Sequence, residues 1–162
     1  MTEDVARMLR TPWSGRLAGG AQEMELVVSR HESHDQLSMV RNTLKPEDAP
    51  PLHVHSREDE FWIVLSGEVK FWVGGRTLQE CSTLVAGAGS VVFGPRNIPH
   101  TFQTYTPSAL VMGGASPAQI EDLFFSAENT VESGVNHGLS PERFVTEYGI
   151  EILDRPPVYQ RD

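Results

Sequence analysis

Two short segments restrict what this chain can fold into more than any other feature. The first reads His53-Val54-His55-Ser56-Arg57-Glu58-Asp59-Glu60 and runs directly into Phe61-Trp62-Ile63-Val64-Leu65-Ser66-Gly67. The second reads Gly89-Ser90-Val91-Val92-Phe93-Gly94-Pro95-Arg96-Asn97-Ile98-Pro99-His100. Imidazole nitrogens and a carboxylate oxygen suit a divalent first-row transition metal, and such a set leaves positions free for water or substrate. These donors abut aromatic and β-branched runs of the kind that form buried strands. A fold for this chain must therefore place strong polar donors inside an apolar shell.

Strand periodicity supplies a geometry. His53 and His55 are two apart, so on an extended strand both point to one face. Glu60 follows His55 at an odd offset that a single straight strand would send to the other face. The polar run Ser56-Arg57-Glu58-Asp59 reads as a turn that returns the chain onto a neighbouring strand. Gly67 closes that strand, where the backbone turns into conformations open mainly to glycine. Pro95 and Pro99 bracket a rigid turn that delivers His100 at the head of the next strand, Thr101 to Tyr105. Four donors from three strands can then meet inside a barrel.

The pattern H-x-H-x4-E-x6-G followed by G-x5-P-x4-H resembles the two signature motifs of the cupin superfamily. The resemblance spans Pro51 to about Tyr105. It implies an all-β cupin double-stranded β-helix, or jelly-roll barrel, in which His53, His55, Glu60 and His100 are the metal ligands. Three positions depart from the family pattern. Glu47 stands where a glycine usually precedes the first histidine, Asn97 where a glycine follows the proline, and Thr104 where an asparagine often ends the second motif. Asn97 tolerates a left-handed backbone better than most residues. None of the three is a ligand.

Length and composition fit one domain. The chain has 162 residues with 39% hydrophobic content, enough for a real core. A formal charge of −9 argues against nucleic acid or an anionic membrane as partner. A single cysteine, Cys81, cannot form an internal disulfide and fits a reducing, cytoplasmic setting. The start Met1-Thr2-Glu3-Asp4 lacks the basic-then-apolar character of a signal peptide, and no apolar stretch reaches the ~18 residues of a membrane span.

Short strands are expected over 23–29, 36–44, 52–55, 60–65, 68–73, 76–79, 90–93, 101–105 and 109–112. Gly74-Gly75 is a hairpin signal, and Glu80 to Ala88 reads as an exposed loop. After residue 115 the character changes. Ser116-Pro117-Ala118-Gln119 is a capping sequence ahead of an apolar stripe of Ile120, Leu123, Phe124 and Ala127. Ser140-Pro141-Glu142 opens a second helix through Tyr148, ended by Gly149. The expected organisation is a barrel over residues 1–115 and a short C-terminal helical tail over 116–162, packed on the same domain. No internal repeat is present.

Other donors have simpler roles. His31 and His34 sit in a polar run that reads as a solvated hairpin loop, and His137 falls in an exposed linker. Glu58 and Asp59 belong to a turn that favours solvent. Trp72 shares a strand face with Lys70 and so covers outer surface or a subunit contact. Alternation from the ligands sends Trp62 and Val64 inward with Glu60, and Phe102 inward with His100. Phe71, Phe93 and Met112 join Trp62 and Phe102 as candidate substrate-binding residues. Such a pocket suits a flat aromatic or otherwise hydrophobic small molecule; the same side chains could equally fill the barrel.

Three classes of function follow. The first is a metal-dependent dioxygenase similar to quercetinase-type single-domain cupins, acting with O₂ on a small aromatic or enol-type metabolite. There Glu60 ligates and also serves as the catalytic base. The ending Gly149-Ile-Glu-Ile-Leu-Asp-Arg-Pro-Pro adds to that resemblance. The second is a non-oxidative isomerase, cyclase or lyase of secondary metabolism. The third is a barrel that binds a small molecule without turning it over. The metal expected is iron or nickel, with manganese, cobalt or zinc also suited to the donors. A homodimer is expected from the resemblance and the exposed-looking aromatics.

Overall fold

A computed structural model describes residues 8, 10–11, 15–17, 23–125 and 140–158. The strands in chain order are β1 (Arg16–Leu17), β2 (Glu23–Val28), β3 (Ser38–Leu44), β4 (Leu52–His55), β5 (Asp59–Ser66), β6 (Glu68–Val73), β7 (Ser82–Gly87), β8 (Val91–Gly94), β9 (His100–Thr104), β10 (Ala109–Ser116) and β11 (Ile150–Asp154). They form two antiparallel sheets, ordered β1-β2-β3-β10-β5-β8 and β11-β4-β9-β6-β7. The fold is all-β, a jelly roll with short helical segments near its end. Among the described residues no helix is long and apolar enough to cross a membrane.

The chain changes sheets at most connections after β3, which is what winds it into a barrel. Gly67 makes the β5-to-β6 crossing at φ 76°, and a Cβ there would meet Ser108 O at 2.5 Å. Two of the other crossings, β4 to β5 and β8 to β9, carry the motif residues. The principal core lies between the sheets and joins Leu44, Trp62, Val64, Val69, Phe71, Ala86, Ala109 and Val111. Alternation is clear on β10, where Ala109, Val111, Gly113 and Ala115 are buried and the residues between them are not.

Several expectations shift. The segment 76–79 is not a strand. The Glu80 carboxylate accepts from the backbone N–H groups of Arg76 and Thr77, and Asp154 accepts from Leu78 N–H. Side chains thus take the donors that a strand ladder would use. The expected loop over 80–88 instead contains β7, the edge strand paired with β6 from Glu68↔Gly87 to Val73↔Ser82. Leu84 and Val85 point to opposite faces yet both are exposed, so it lacks the polar alternation that marks a half-buried strand.

The region after 115 also contains more than helix. Ala118–Ile120 is a 3-10 turn and Glu121–Phe125 a short α-helix, while Ala127 and His137 lie outside the described residues. Ser140 caps the next helical segment by accepting from Arg143 N–H, and Gly149 ends it at φ 69°. The chain then enters the second sheet as β11, pairing Ile150↔His55 and Ile152↔His53. That strand was not anticipated. Ala115, Leu123, Phe144 and Ile150 make a second apolar cluster that fastens this region to the barrel.

The ranking of burial gives a direct test. Phe71→Ala, at a fully buried site, is expected to lower the unfolding free energy by about 3–5 kcal/mol. Val91→Ala, on an exposed edge, should change it by no more than about 0.5 kcal/mol. Urea denaturation of both variants checks the contrast.

Candidate metal centre

His53 and His55 project from one face of β4, with ring centroids 4.8 Å apart. His100 heads β9 and pairs directly opposite His53, their rings 4.9 Å apart. The second sheet therefore contributes all three histidines. Glu60 comes from β5 in the facing sheet rather than from a neighbouring strand, because the 56–59 turn carries the chain across the barrel. This accounts for the odd offset. One ligand atom from each of His53, His55, Glu60 and His100 can be chosen so that all lie within 4.8 Å of one another.

The two crossings that present these residues are tied to each other. Asp59 Oδ1 accepts from Arg96 N–H at 2.8 Å, and Asp59 Oδ2 accepts from the Arg96 guanidinium at 2.8 Å. Those hydrogen bonds, side chain first and then backbone, hold the Asp59 carboxyl down at about 2. Asn97 adopts φ 66° and donates its backbone N–H to His55 O at 2.7 Å. The left-handed backbone expected there is present without glycine. On the other side, Ser56 and Arg57 donate to the carbonyls of Gly149, Glu147 and Thr146. Arg57 thus satisfies carbonyls left open at a helix end and braces the ligand turn against the C-terminal region.

Hydrogen bonding also sets the histidine tautomers. His53 Nδ1 lies 2.7 Å from Pro51 O and His100 Nδ1 lies 3.0 Å from Ile98 O. A carbonyl only accepts, so both Nδ1 atoms carry the proton and both Nε2 atoms are turned inward as bases. His100 Nε2 is 2.9 Å from Glu60 Oε2, and His55 Nε2 is 3.1 Å from the same oxygen. Two acceptors at such a distance repel unless a cation, proton or metal, lies between them. Both ring nitrogens of His55 are enclosed with no aligned hydrogen bond. The donor set and its unsatisfied buried nitrogens fit a metal ion.

Charge balance in the absence of metal is strained. Burial raises the Glu60 carboxyl, but the charge of His55 and the close approach of the His100 and His55 rings carry it well below its usual range. Burial lowers His55, yet Glu60 and Glu58 outweigh it and push the imidazole up to about 10. Burial, aided by the neighbouring imidazoles, takes His53 down to about 3.

Glu58 is the residue that sequence reasoning misplaced. Expected in solvent, it is fully buried, with Oε1 3.6 Å from His55 Nδ1. Neither of its oxygens has a hydrogen-bond partner among the described residues. A carboxylate behind a ligating imidazole orients the ring and raises its basicity. No local signal separates it from Asp59, which turns outward to Arg96 from the same turn. Other decoys behave as expected: His31 and His34 are exposed, and Lys70 Nζ lies 5.1 Å from the centroid of the Trp72 ring.

An apolar pocket with a cavity volume of about 90 Å³ adjoins the cluster and is lined in part by Glu60, Trp62, Phe102, Val111, Val40 and Phe124. Trp62 and Phe102 are placed as expected, the indole 5.3 Å from the His100 ring. Gly94 makes that placement possible, since a Cβ there would stand 2.9 Å from the indole. Phe71 lies behind both rings, 5.4 Å from Trp62 and 5.8 Å from Phe102, and belongs to the core rather than the pocket wall. Phe93 and Met112 are corrections. Phe93 pairs with Phe61 and Met112 with Ile63, so both share the outer face opposite Trp62. Phe93 is 63% exposed. Val111, adjacent to Met112, takes the inward place.

Comparison with known proteins agrees with this architecture. Residues 40–112 match the Cupin domain family model. A 75-residue stretch is 35% identical to a protein of Aspergillus japonicus described as quercetin 2,3-dioxygenase, covering 45% of this chain and 21% of that one. The match thus spans about a fifth of the length of that curated relative. Among solved structures, the chain resembles oxalate decarboxylase from Bacillus subtilis, with TM-score 0.57 and 16% identity over 94% of this chain and 41% of that one. It also resembles hydroxypropylphosphonic acid epoxidase from S. wedmorenis, with TM-score 0.53 and 20% identity over 65% and 57% of the two chains. At such identity these two likenesses speak to the fold alone.

Two substitutions test the centre. His55→Ala is expected to lose most bound metal by elemental analysis. Glu58→Leu, which removes the charge but keeps bulk, should weaken metal affinity by about 10–100-fold in a chelator competition. Unchanged affinity in Glu58→Leu would show that the carboxylate does not support His55.

Proposed function

We propose that this cupin is a metal-dependent, quercetinase-like dioxygenase that acts with O₂ on a small aromatic or enol-type metabolite. His53, His55, Glu60 and His100 hold one divalent transition metal, iron or nickel in the first instance. The observation that carries this reading is the double membership of Glu60. Its carboxylate belongs to the ligand cluster and also lines the apolar pocket beside Trp62 and Phe102. A substrate in that pocket meets the metal centre through this residue. The quercetin dioxygenase segment supports the same reaction class.

A metal held by His53, His55, Glu60 and His100 would supply Lewis acidity that lowers the pKa of an enol or phenol oxygen. The chain supplies the remainder. Trp62 and Phe102 offer flat apolar faces that orient an aromatic ring and exclude water from the reacting end. His53 and His100 keep their inward nitrogens unprotonated through the Pro51 and Ile98 carbonyls. Glu60, ionised at neutral pH, stands at the pocket edge and accepts the proton that the hydroxyl gives up.

The test is oxygen uptake by metal-replete protein across a panel of flavonols and related enols. Uptake is expected with at least one of them. Glu60→Gln should reduce the rate by about 100-fold or more at equal metal content. No uptake by any panel member, in protein shown to hold metal, sinks the dioxygenase reading. Turnover under strict anaerobiosis would assign the chain to the non-oxidative class instead.

A further inference from the structure

One hydroxyl on the pocket wall is not used by the fold. Ser38 opens β3, is 3% exposed, and lines the pocket with Val40 and Leu44 of the same strand face. The serines around it are engaged: Ser33 Oγ donates to Leu37 O at 2.5 Å and Ser116 Oγ to Gln36 O at 2.8 Å. Ser38 Oγ has no such partner among the described residues. Nor is it sealed like Asn42 Oδ1 further along the strand, so the surface it keeps opens to the cavity. An inward serine without a hydrogen bond adds little to a strand or a core, where a β-branched apolar residue packs better.

Register puts this hydroxyl level with the metal centre. Ser38 pairs with Ala115 on β10, and Ala115 pairs with Glu60 on β5. The three inward side chains form one row, with only a methyl group between the serine and the carboxylate. At ~4.8 Å between strands, the Ser38 and Glu60 backbones are about 10 Å apart. The chain after β10 brings a charge to the serine's end of that row. Ala118 N–H donates to Asp35 O and Arg30 N–H to Glu121 Oε2, which seats the helix Glu121–Phe125 beside the 29–37 loop. Glu121 lines the same pocket, while the Arg30 guanidinium is directed to Asp35 and Asp122. No lysine or arginine is among the described lining residues. This wall is therefore polar, electronegative and unsuited to an anion.

We propose that Ser38 is a specificity-determining residue that anchors a second polar group of the substrate, an O–H or N–H donor rather than a carboxylate. This rests on the reading that the pocket is the substrate site of the metal centre. The substrate class is then a short bifunctional molecule. One oxygen is held at the metal and Glu60, and a donor several bonds away is accepted by Ser38 Oγ in the negative potential of Glu121. An apolar tail leaves the serine unpaired, and a carboxylate tail meets like charge.

The experiment uses the full chain loaded with zinc, which has no redox chemistry of its own. Three probes share a catechol head and differ in the tail. Dopamine ends in an ammonium, 4-ethylcatechol in a methyl group and 3,4-dihydroxyphenylpropionate in a carboxylate. By calorimetry, wild type is expected to bind dopamine about tenfold more tightly than 4-ethylcatechol, and the propionate more weakly than either. Ser38→Ala should cut the dopamine preference to about twofold while leaving 4-ethylcatechol affinity and zinc content unchanged. A full preference retained in Ser38→Ala would overturn the assignment of Ser38, as would equal weakening of all three probes, the mark of a structural role. If wild type binds dopamine no better than 4-ethylcatechol, or favours the propionate, the donor class fails and the metal-centre reading stands. Failure to bind even 4-ethylcatechol would overturn the reading of the pocket as the metal's substrate site and, with it, this one.

Discussion

The contact between Glu60 and the histidines is the interaction around which the barrel is arranged. It joins the two sheets at their ligand-bearing end, since Glu60 comes from β5 in one and His55 and His100 from β4 and β9 in the other. Two carboxylates, Glu58 and Glu60, sit beside these rings, one of them fully buried. Uncompensated buried charge is expensive. Without metal, a proton on His55 offsets only part of it. A divalent cation with three neutral imidazoles and two carboxylates brings the cluster to zero net charge, so charge as well as donor type matches a +2 metal.

That arrangement requires two connections to keep their shape, and they do so through fixed contacts rather than through the metal alone. Asp59 holds Arg96, and Asn97 holds the His55 carbonyl, so the β4–β5 and β8–β9 crossings constrain each other. Arg57 and Ser56 attach the first crossing to the carbonyls of residues 146–149, and β11 pairs alongside the two histidines of β4. The C-terminal region is therefore part of the site's scaffold. Ile150 and Phe144 bury it against Ala115, which neighbours Glu60 across the sheet. Packing in the tail and ligand geometry in the barrel are consequently coupled.

The clustering of His53, His55, Glu60 and His100 was legible in sequence because its information is local. Residue chemistry identifies donors, a two-residue spacing puts two of them on one strand face, and proline positions the last. What escaped depends on pairing that local sequence does not encode. Phe93 and Met112 each lie one residue away from the inward position, and only the register with β5 decides their face. β7 and β11 lack clean alternation, as they are edge strands. Glu58 was read as solvated since a charged residue in a polar turn usually is. Its burial follows from the short crossing between facing sheets, a property of the tertiary path.

The same distinction separates core from pocket among the inward residues. Val64, Val69 and Phe71 pack to complete burial and are explained by folding alone. Glu58 and Asn42 are not, because each buries polar atoms that have no hydrogen-bond partner among the described residues. Sequences ordinarily agree with their fold at every level, and disagreement concentrates where function demands it. Here the disagreements lie on two adjoining surfaces, one facing the histidine cluster and one facing the pocket. Between them Trp62 turns its ring toward His100 on one side and Phe102 on another. The histidine cluster and the pocket therefore adjoin, sharing Glu60 and meeting at Trp62.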